Sequence, residues 1–242
     1  MKKTAAVVTV TTGRKELERC LRGVAHQSYP CTHYVLCDGE DDHAIAQFYD
    51  MTRDYANYEA RWSYWGNTIG GGNGWLGQRW LAAAPHLITE DVTFFCNDDD
   101  WFDEHHVKSI MEKIDQGFDW AYSLRKIYDK DGKYLFDDNC EAIGENHHAW
   151  NIEGHHFVDS CMFGMKTDLL KQISIVMNRP GLDIDRHFYA AARNIFPNFT
   201  GTNKHTFNFR LGGSCGVQKE FFELGNAWML KKFDNKLPWI KT

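Results

Sequence analysis

No apolar run in this chain approaches the roughly 20 residues that cross a bilayer, so no membrane span is expected. The start, Met1-Lys2-Lys3-Thr4, has two lysines, but Arg14-Lys15-Glu16 soon interrupts the short apolar stretch that follows. That pattern reads as a first strand rather than a secretory leader, and a cytoplasmic protein is expected. Long basic runs are also absent: 27 Lys and Arg face 33 Asp and Glu, for a formal charge of −6. A nucleic-acid backbone is therefore not the expected partner. The seven cysteines are odd in number and lack CxxC spacing. They fit reduced thiols, several in the core, better than a disulfide framework. In a cytosolic chain the sequon Asn198-Phe199-Thr200 carries little meaning. There is no internal repeat, low-complexity segment or linker, and the 242 residues suit one large α/β domain.

What is present is alternation. Residues 5–11 read as a strand, 14–27 as a helix with Leu17, Leu21 and Val24 on one face, and 33–37 as a second strand closing at Asp38-Gly39. A helix over 41–55, a strand over 61–65, a glycine-rich loop over 67–77 and a helix over 75–84 follow. Val92-Thr93-Phe94-Phe95-Cys96 reads as a buried strand. Strands alternating with helices imply a mostly parallel sheet with right-handed crossovers. Beyond Gly117 the pattern changes. Strands are expected over 118–128, 156–165 and 206–211, helices over 166–176, 183–194 and 217–232, and a hairpin turn at Asp129-Lys130-Asp131-Gly132-Lys133. The simplest division is a first half to about residue 116, a second half over 117–213, and a C-terminal helix and tail from 214.

The most informative stretch is Asn97-Asp98-Asp99-Asp100-Trp101-Phe102. Its carboxylates stand where a buried strand ends, and open α/β sheets bind ligands outside such ends. Clustered negative charges require compensation. A hard divalent ion, Mn²⁺ or Mg²⁺, takes oxygen ligands and bridges carboxylates to a diphosphate. The same run also fits a solvated acidic turn, with Asp103 capping the next helix. The loop Gly70-Gly71-Gly72-Asn73-Gly74 has neither the Walker lysine nor Rossmann spacing. It suits close backbone approach to a nucleotide, or a flexible surface loop. His147-His148 and His155-His156 do not have zinc-site spacing. Trp75, Trp80 and Trp101 read as core.

Seven segments in order resemble the inverting family-two glycosyltransferases of GT-A fold. They are Val7 to Arg14, His26 to Pro30, Val35-Leu36-Cys37-Asp38-Gly39, Phe94 to Trp101, Trp120 to Ser123 with Asp131-Gly132-Lys133, Phe157 to Met165, and Gly181-Leu182-Asp183-Ile184-Asp185. The resemblance covers most of residues 4–211. It implies an α/β, Rossmann-like sheet flanked by helices, with a smaller acceptor-side part. It also implies transfer of a sugar from a nucleotide diphosphate, UDP by preference, to a hydroxyl of a glycan, lipid-linked or other acceptor. This chain departs from the pattern in having a single Asp in the second strand, Asn97 where an Asp is common, and Leu182 where Glu is common.

The resemblance also assigns roles. Asp38 would accept the imide N–H of uracil, as a carboxylate can. Thr11, Arg14, Arg79, Asn97 and Asp98 would line the nucleotide and its phosphates. Asp99 and Asp100 would hold the metal, a Lewis acid for the leaving diphosphate, with His205 as a further ligand. Asp183, with Asp185 as alternate, would be the general base. Both Asp183 and Asp185 also suit the acidic start of a helix. Trp150, His156 and Asp159 would line the acceptor pocket. Two other classes fit the sequence: a weak or inactive relative that binds nucleotide or glycan, and a metal-dependent phosphohydrolase or nucleotidyltransferase.

Overall fold

The computed structural model describes residues 2–39, 42–53, 55, 58–65, 68–72, 75–146, 156–213 and 216–240. In the first half the alternation is β1 (Ala5–Thr11), α1 (Leu17–Ala25), β2 (Thr32–Asp38), α2 (Asp42–Thr52) and β3 (Glu59–Trp65). Two short strands, β4 (Gly71–Gly72) and β5 (Trp75–Leu76), precede α3 (Gln78–Ala83), β6 (Val92–Phe95), β7 (Trp101–Phe102) and α4 (His106–Asp115). The second half holds β8 (Trp120–Tyr128), β9 (Tyr134–Asp137), β10 (Phe163–Lys166), α5 (Thr167–Ile173), α6 (Ile184–Ile195), β11 (Phe199–Arg210) and α7 (Lys219–Lys232).

One nine-stranded sheet joins both halves, in the order β3-β2-β1-β6-β10-β8-β11-β7, with β9 on β8. The β3-β2-β1-β6 block is parallel throughout. β10 runs against both of its neighbours, β7 against β11 and β9 against β8, while β8 and β11 lie parallel. Most strands therefore share one direction, and their carboxyl ends share one edge. β2 and β6 are buried along their whole length, as strands covered on both faces must be. The edge strand β3 is largely exposed. Leu17, Cys20, Leu21 and Val24 seat α1 in the main core. A smaller core of Leu124, Ile127, Cys140, Phe222, Met229 and Trp239 lies under α7.

The differences from the sequence pattern have local causes. The glycine loop forms a hairpin, in which Gly71 pairs with Leu76 and Gly72 with Trp75. Gly77 then takes φ +82°, a left-handed turn that starts α3 at Gln78 rather than at Trp75. The strand expected over 156–165 is confined to Phe163–Lys166, because the Asp159 carboxylate and carbonyl tie down the Cys161 and Met162 N–H groups in a turn. β11 starts seven residues before its expected beginning at 206 and follows β8 through two register shifts. The Asp103 side chain does not cap α4. It accepts from Lys126 and from Asn208 Nδ2, and the helix begins at His106. Among the described residues no helix is long and apolar enough to cross a membrane.

Candidate functional site

β1, β2 and β6 deliver Thr11, Asp38 and Asn97 to the carboxyl edge of the parallel block, where such sheets bind ligands. Two cavities open there. One, of about 180 Å³, has Thr11, Thr12, Asp38, Trp75, Asn97 and Asp98 on its walls. The other, of about 160 Å³, has Asp99, Asp100, Asp159, Ser160, Asp185 and Arg210. Leu76, Leu81 and Asn97 belong to both. A larger hollow of about 490 Å³, between α1 and the β8–β9 turn, meets this site only at Asp99 and Arg210.

Asp38 is buried, and both of its oxygens are engaged. Oδ1 accepts the Ile69 N–H at 2.7 Å and Oδ2 the Gly70 N–H at 2.9 Å. Each oxygen keeps a second lone pair for a ligand donor. Arg79 stands outside both cavities, donating to the Ile69 carbonyl at 2.9 Å and lying over Trp75. It braces the hairpin in this structure. Trp80 is core, whereas Trp75 is a half-buried cavity wall.

The three consecutive aspartates diverge. Asp98 turns toward β1, where Thr11 Oγ1 donates to it at 2.8 Å and Arg14 donates through Nε and Nη2. Burial works to lower the Arg14 pKa, but the bonded Asp98 and the nearby Asp99 hold it above its ordinary value. Asp99 lies 3.4 Å from Arg14 Nη1 and 3.7 Å from Arg210 Nη2. Asp100 accepts the Arg210 N–H at 2.9 Å and the Asn97 amide at 3.1 Å. Burial raises the Asp99 carboxyl despite the nearby Arg14. Burial and the charges of Asp99 and Asp159 raise Asp100 further.

Asp183 and Asp185 part company. Asp183 is on the outside, half-exposed, bonded by His187 Nε2 at 2.9 Å and 3.8 Å from Arg179. The His187 bond and the Arg179 charge hold its carboxyl below the usual range. Asp185, two residues on, lines the 160 Å³ cavity. Its Oδ1 accepts the Ser160 N–H at 2.9 Å. Burial and the charge of Asp159 push its carboxyl up to about 7. Asp159 is itself fixed, with Oδ1 on the Cys161 N–H at 2.9 Å and Oδ2 3.5 Å from Arg125. Arg125 is buried and also pairs with Asp138 at 2.8 Å and Glu141 at 2.6 Å.

The structure does not bring His205 to the aspartates. Its Nδ1 lies 3.7 Å from Asp137, five residues of strand, roughly 15 Å, from the Arg210 N–H that meets Asp100. His156 donates from Nδ1 to the Gly144 carbonyl at 3.0 Å and is not on the cavity wall. Trp150, with His147, His148 and His155, lies outside the described residues.

Among the described residues no three His, Cys, Asp or Glu side chains form a metal cage. The donor chemistry still suits a hard ion held in part by its ligand. Magnesium-type sites use one or two carboxylates and complete the shell with substrate phosphates. Asp99 and Asp100, oxygen donors on one cavity wall with raised pKa values, provide such a pair.

Sequence reasoning missed two residues of consequence. Arg210 ends β11 with its Nε buried and without a partner among the described residues. Arg125 sits mid-strand in β8, where an arginine inside the run Ala121-Tyr122-Ser123-Leu124 to Ile127-Tyr128 was the available signal.

No family model matches this chain, and no curated protein does. Solved structures of S. aureus TarS share its fold. The TarS 1-349 structure in complex with UDP-GlcNAc is 16% identical with a TM-score of 0.63, and covers 94% of this chain and 66% of that one. The same fragment in complex with UDP is 18% identical with a TM-score of 0.61 over 94% and 65%. A longer TarS structure is 15% identical with a TM-score of 0.61 over 98% and 41%. The chain thus spans about two thirds of the fragment and less than half of the longer TarS. The architecture is that GT-A-like α/β fold.

Proposed function

We propose that the chain is a glycosyltransferase that takes a sugar from a nucleotide diphosphate, UDP in the first instance, and passes it to an acceptor hydroxyl with inversion. The observation that carries this reading is the pairing of the two cavities. One holds a carboxylate, Asp38, at the end of β2. The other holds a carboxyl that titrates at about 7, Asp185, and they join at Asn97. A nucleotide sugar lying across both puts its base near Asp38 and its anomeric carbon near Asp185. The TarS structures with UDP and UDP-GlcNAc, on the same fold, favour this donor class.

Asp185 is the proposed base, in preference to Asp183. A base serves best when its pKa lies near the working pH and it can reach the acceptor. Asp185 has such a pKa and lines the cavity, whereas Asp183 is turned toward His187. The Ser160 N–H fixes the orientation of the Asp185 carboxylate, and Arg125, through Asp159, fixes the neighbour that raises its pKa. As the acceptor oxygen attacks, its proton moves to the Asp185 carboxylate, and the diphosphate leaves from the opposite face. Arg14 and Arg210, which flank Asp99, offer positive charge to the departing group. Mn²⁺ or Mg²⁺ held by Asp99 and Asp100 would act there as a Lewis acid.

The test is thermal-shift titration with UDP, UDP-GlcNAc and other nucleotide sugars, with and without Mn²⁺, followed by assay of UDP release with and without an acceptor. Stabilisation by one nucleotide and acceptor-dependent UDP release support the reading. Phosphate or pyrophosphate release without sugar transfer would replace it with hydrolysis or nucleotidyl transfer.

A further inference from the structure

We infer that Trp75 is the wall against which the donor's nucleobase stacks, an inference that rests on the nucleotide-sugar reading above. The reacting end of the donor must lie beside Asp185 in the 160 Å³ cavity. The far end, the base, then falls in the 180 Å³ cavity, whose aromatic wall is Trp75 and whose polar edge is Asp38. Val10 and Leu81 supply the aliphatic remainder. A flat heteroaromatic ring with an N–H at one edge suits that combination.

The wall is held in place from behind. The Arg79 guanidinium lies 4.1 Å from the Trp75 ring centroid and also donates to the Ile69 carbonyl. The hairpin that carries Trp75 is anchored at both ends. Ile69 and Gly70 donate to Asp38, and the Gly77 N–H donates to the Gly70 carbonyl at 2.6 Å. The carboxylate that reads the base edge thus positions the ring that covers the base face. Gly70 leaves the space this needs. A Cβ there would sit 2.4 Å from Trp80 Cδ1 and 2.9 Å from Asp38 Oδ2.

The two groups divide the labour. Every base has a π-face, so stacking raises affinity without choosing among bases. Base choice falls to Asp38. Trp75→Ala should therefore weaken every nucleotide the protein binds by the same factor, about 5- to 150-fold.

The experiment is calorimetric titration of the wild type, Trp75→Ala and Trp75→Phe with UDP, CDP, ADP and GDP in Mn²⁺ buffer, with melting curves to show that each variant folds. The expected result is a uniform loss in Trp75→Ala and recovery to within about 5-fold in Trp75→Phe, which retains a flat ring. Nucleotide quenching of tryptophan emission should shrink in Trp75→Phe although binding persists. That readout decides the matter if the alanine variant does not fold. Unchanged UDP affinity in Trp75→Ala, or undiminished quenching in Trp75→Phe, overturns the stacking role alone. A wild type that binds none of the four nucleotides overturns this inference and the donor assignment together.

Discussion

Asp185→Asn should stabilise the protein while sharply lowering its turnover. The Asp185 carboxyl titrates at about 7 rather than its ordinary 3.8, because burial and the Asp159 charge disfavour ionisation. The fold therefore keeps a proton that the unfolded chain has lost, and stability falls as pH rises from about 4 to about 7. Above that window the full penalty is present, at most about 4 kcal/mol. Asparagine has nearly the same shape, carries no charge and keeps an oxygen for the Ser160 N–H. If half of the penalty is relieved, about 2 kcal/mol, the melting temperature at pH 8 rises by roughly 4–8 °C in a chain of this size. At pH 5 the acid is already protonated in the fold, and the gain shrinks toward zero. Loss of a general base lowers kcat about 10²- to 10⁴-fold, and wild-type kcat/KM should rise with pH through an apparent pKa near 7. Paired melts at pH 5 and pH 8, with a UDP-release assay, test all of this. An equal gain at both pH values, or none, refutes the assignment of a strained carboxyl. Asp183→Asn is the control. Its carboxylate faces His187 outside the cavity, so turnover should change by no more than a few-fold and melting should not rise.

Arg14→Ala strips the ion-pair partner from Asp98, whose side chain is 5% exposed. Denaturant titration should show a loss of about 2–4 kcal/mol, and UDP affinity should fall with it. Gly70→Ala forces the Trp80 ring and the Asp38 carboxylate apart, which should cost about 1–3 kcal/mol and weaken nucleotide binding more than it lowers melting. Arg125→Met leaves Asp138 and Glu141 buried without their cation, a loss of about 3–5 kcal/mol or roughly 6–20 °C in melting temperature. Chelation by EDTA should reduce the thermal shift given by UDP.

Much of the fold was legible because its signals are periodic or steric. The apolar run Val92 to Cys96 has only one stable place, inside a sheet covered on both faces. The helical spacing of Leu17, Leu21 and Val24 also sets its own buried face. The candidate site's place at the sheet edge was legible for a related reason: Asp38 ends one buried strand and Asn97 follows another, so both reach one edge of the sheet. The direction of each carboxylate was not. Adjacent aspartates differ only in where a turn points them, and that depends on distant partners such as Thr11, Arg14 and Arg210. Asp183 and Asp185 show the same limit. Each is an acid near a helix start, and the helix rotation that turns Asp185 inward comes from Phe188 and Tyr189 packing into the core. The glycine loop suits close approach to a nucleotide or a flexible surface loop by sequence, and what its composition does not show is the pairing of Gly72 with Trp75.

The charge balance of the cleft explains why these pieces belong together. Asp100, Asp159 and Asp185 share one cavity wall. Arg125 compensates Asp159 but is divided among three carboxylates, and Arg210 meets Asp100 with a backbone N–H rather than its guanidinium. Burial and neighbouring charge therefore raise Asp99, Asp100 and Asp185 together. A nucleotide diphosphate adds negative charge beside them. Arg14 and Arg210 would offset part of that charge, and further proton uptake or a cation that arrives alongside it would offset the rest. Proton uptake at Asp185 would disable the base. A cation at Asp99 and Asp100 would instead offset the local negative potential and favour the ionised, proton-accepting form. Under the proposed function, donor binding and base activation would be coupled through one electrostatic requirement, and a divalent ion would serve both.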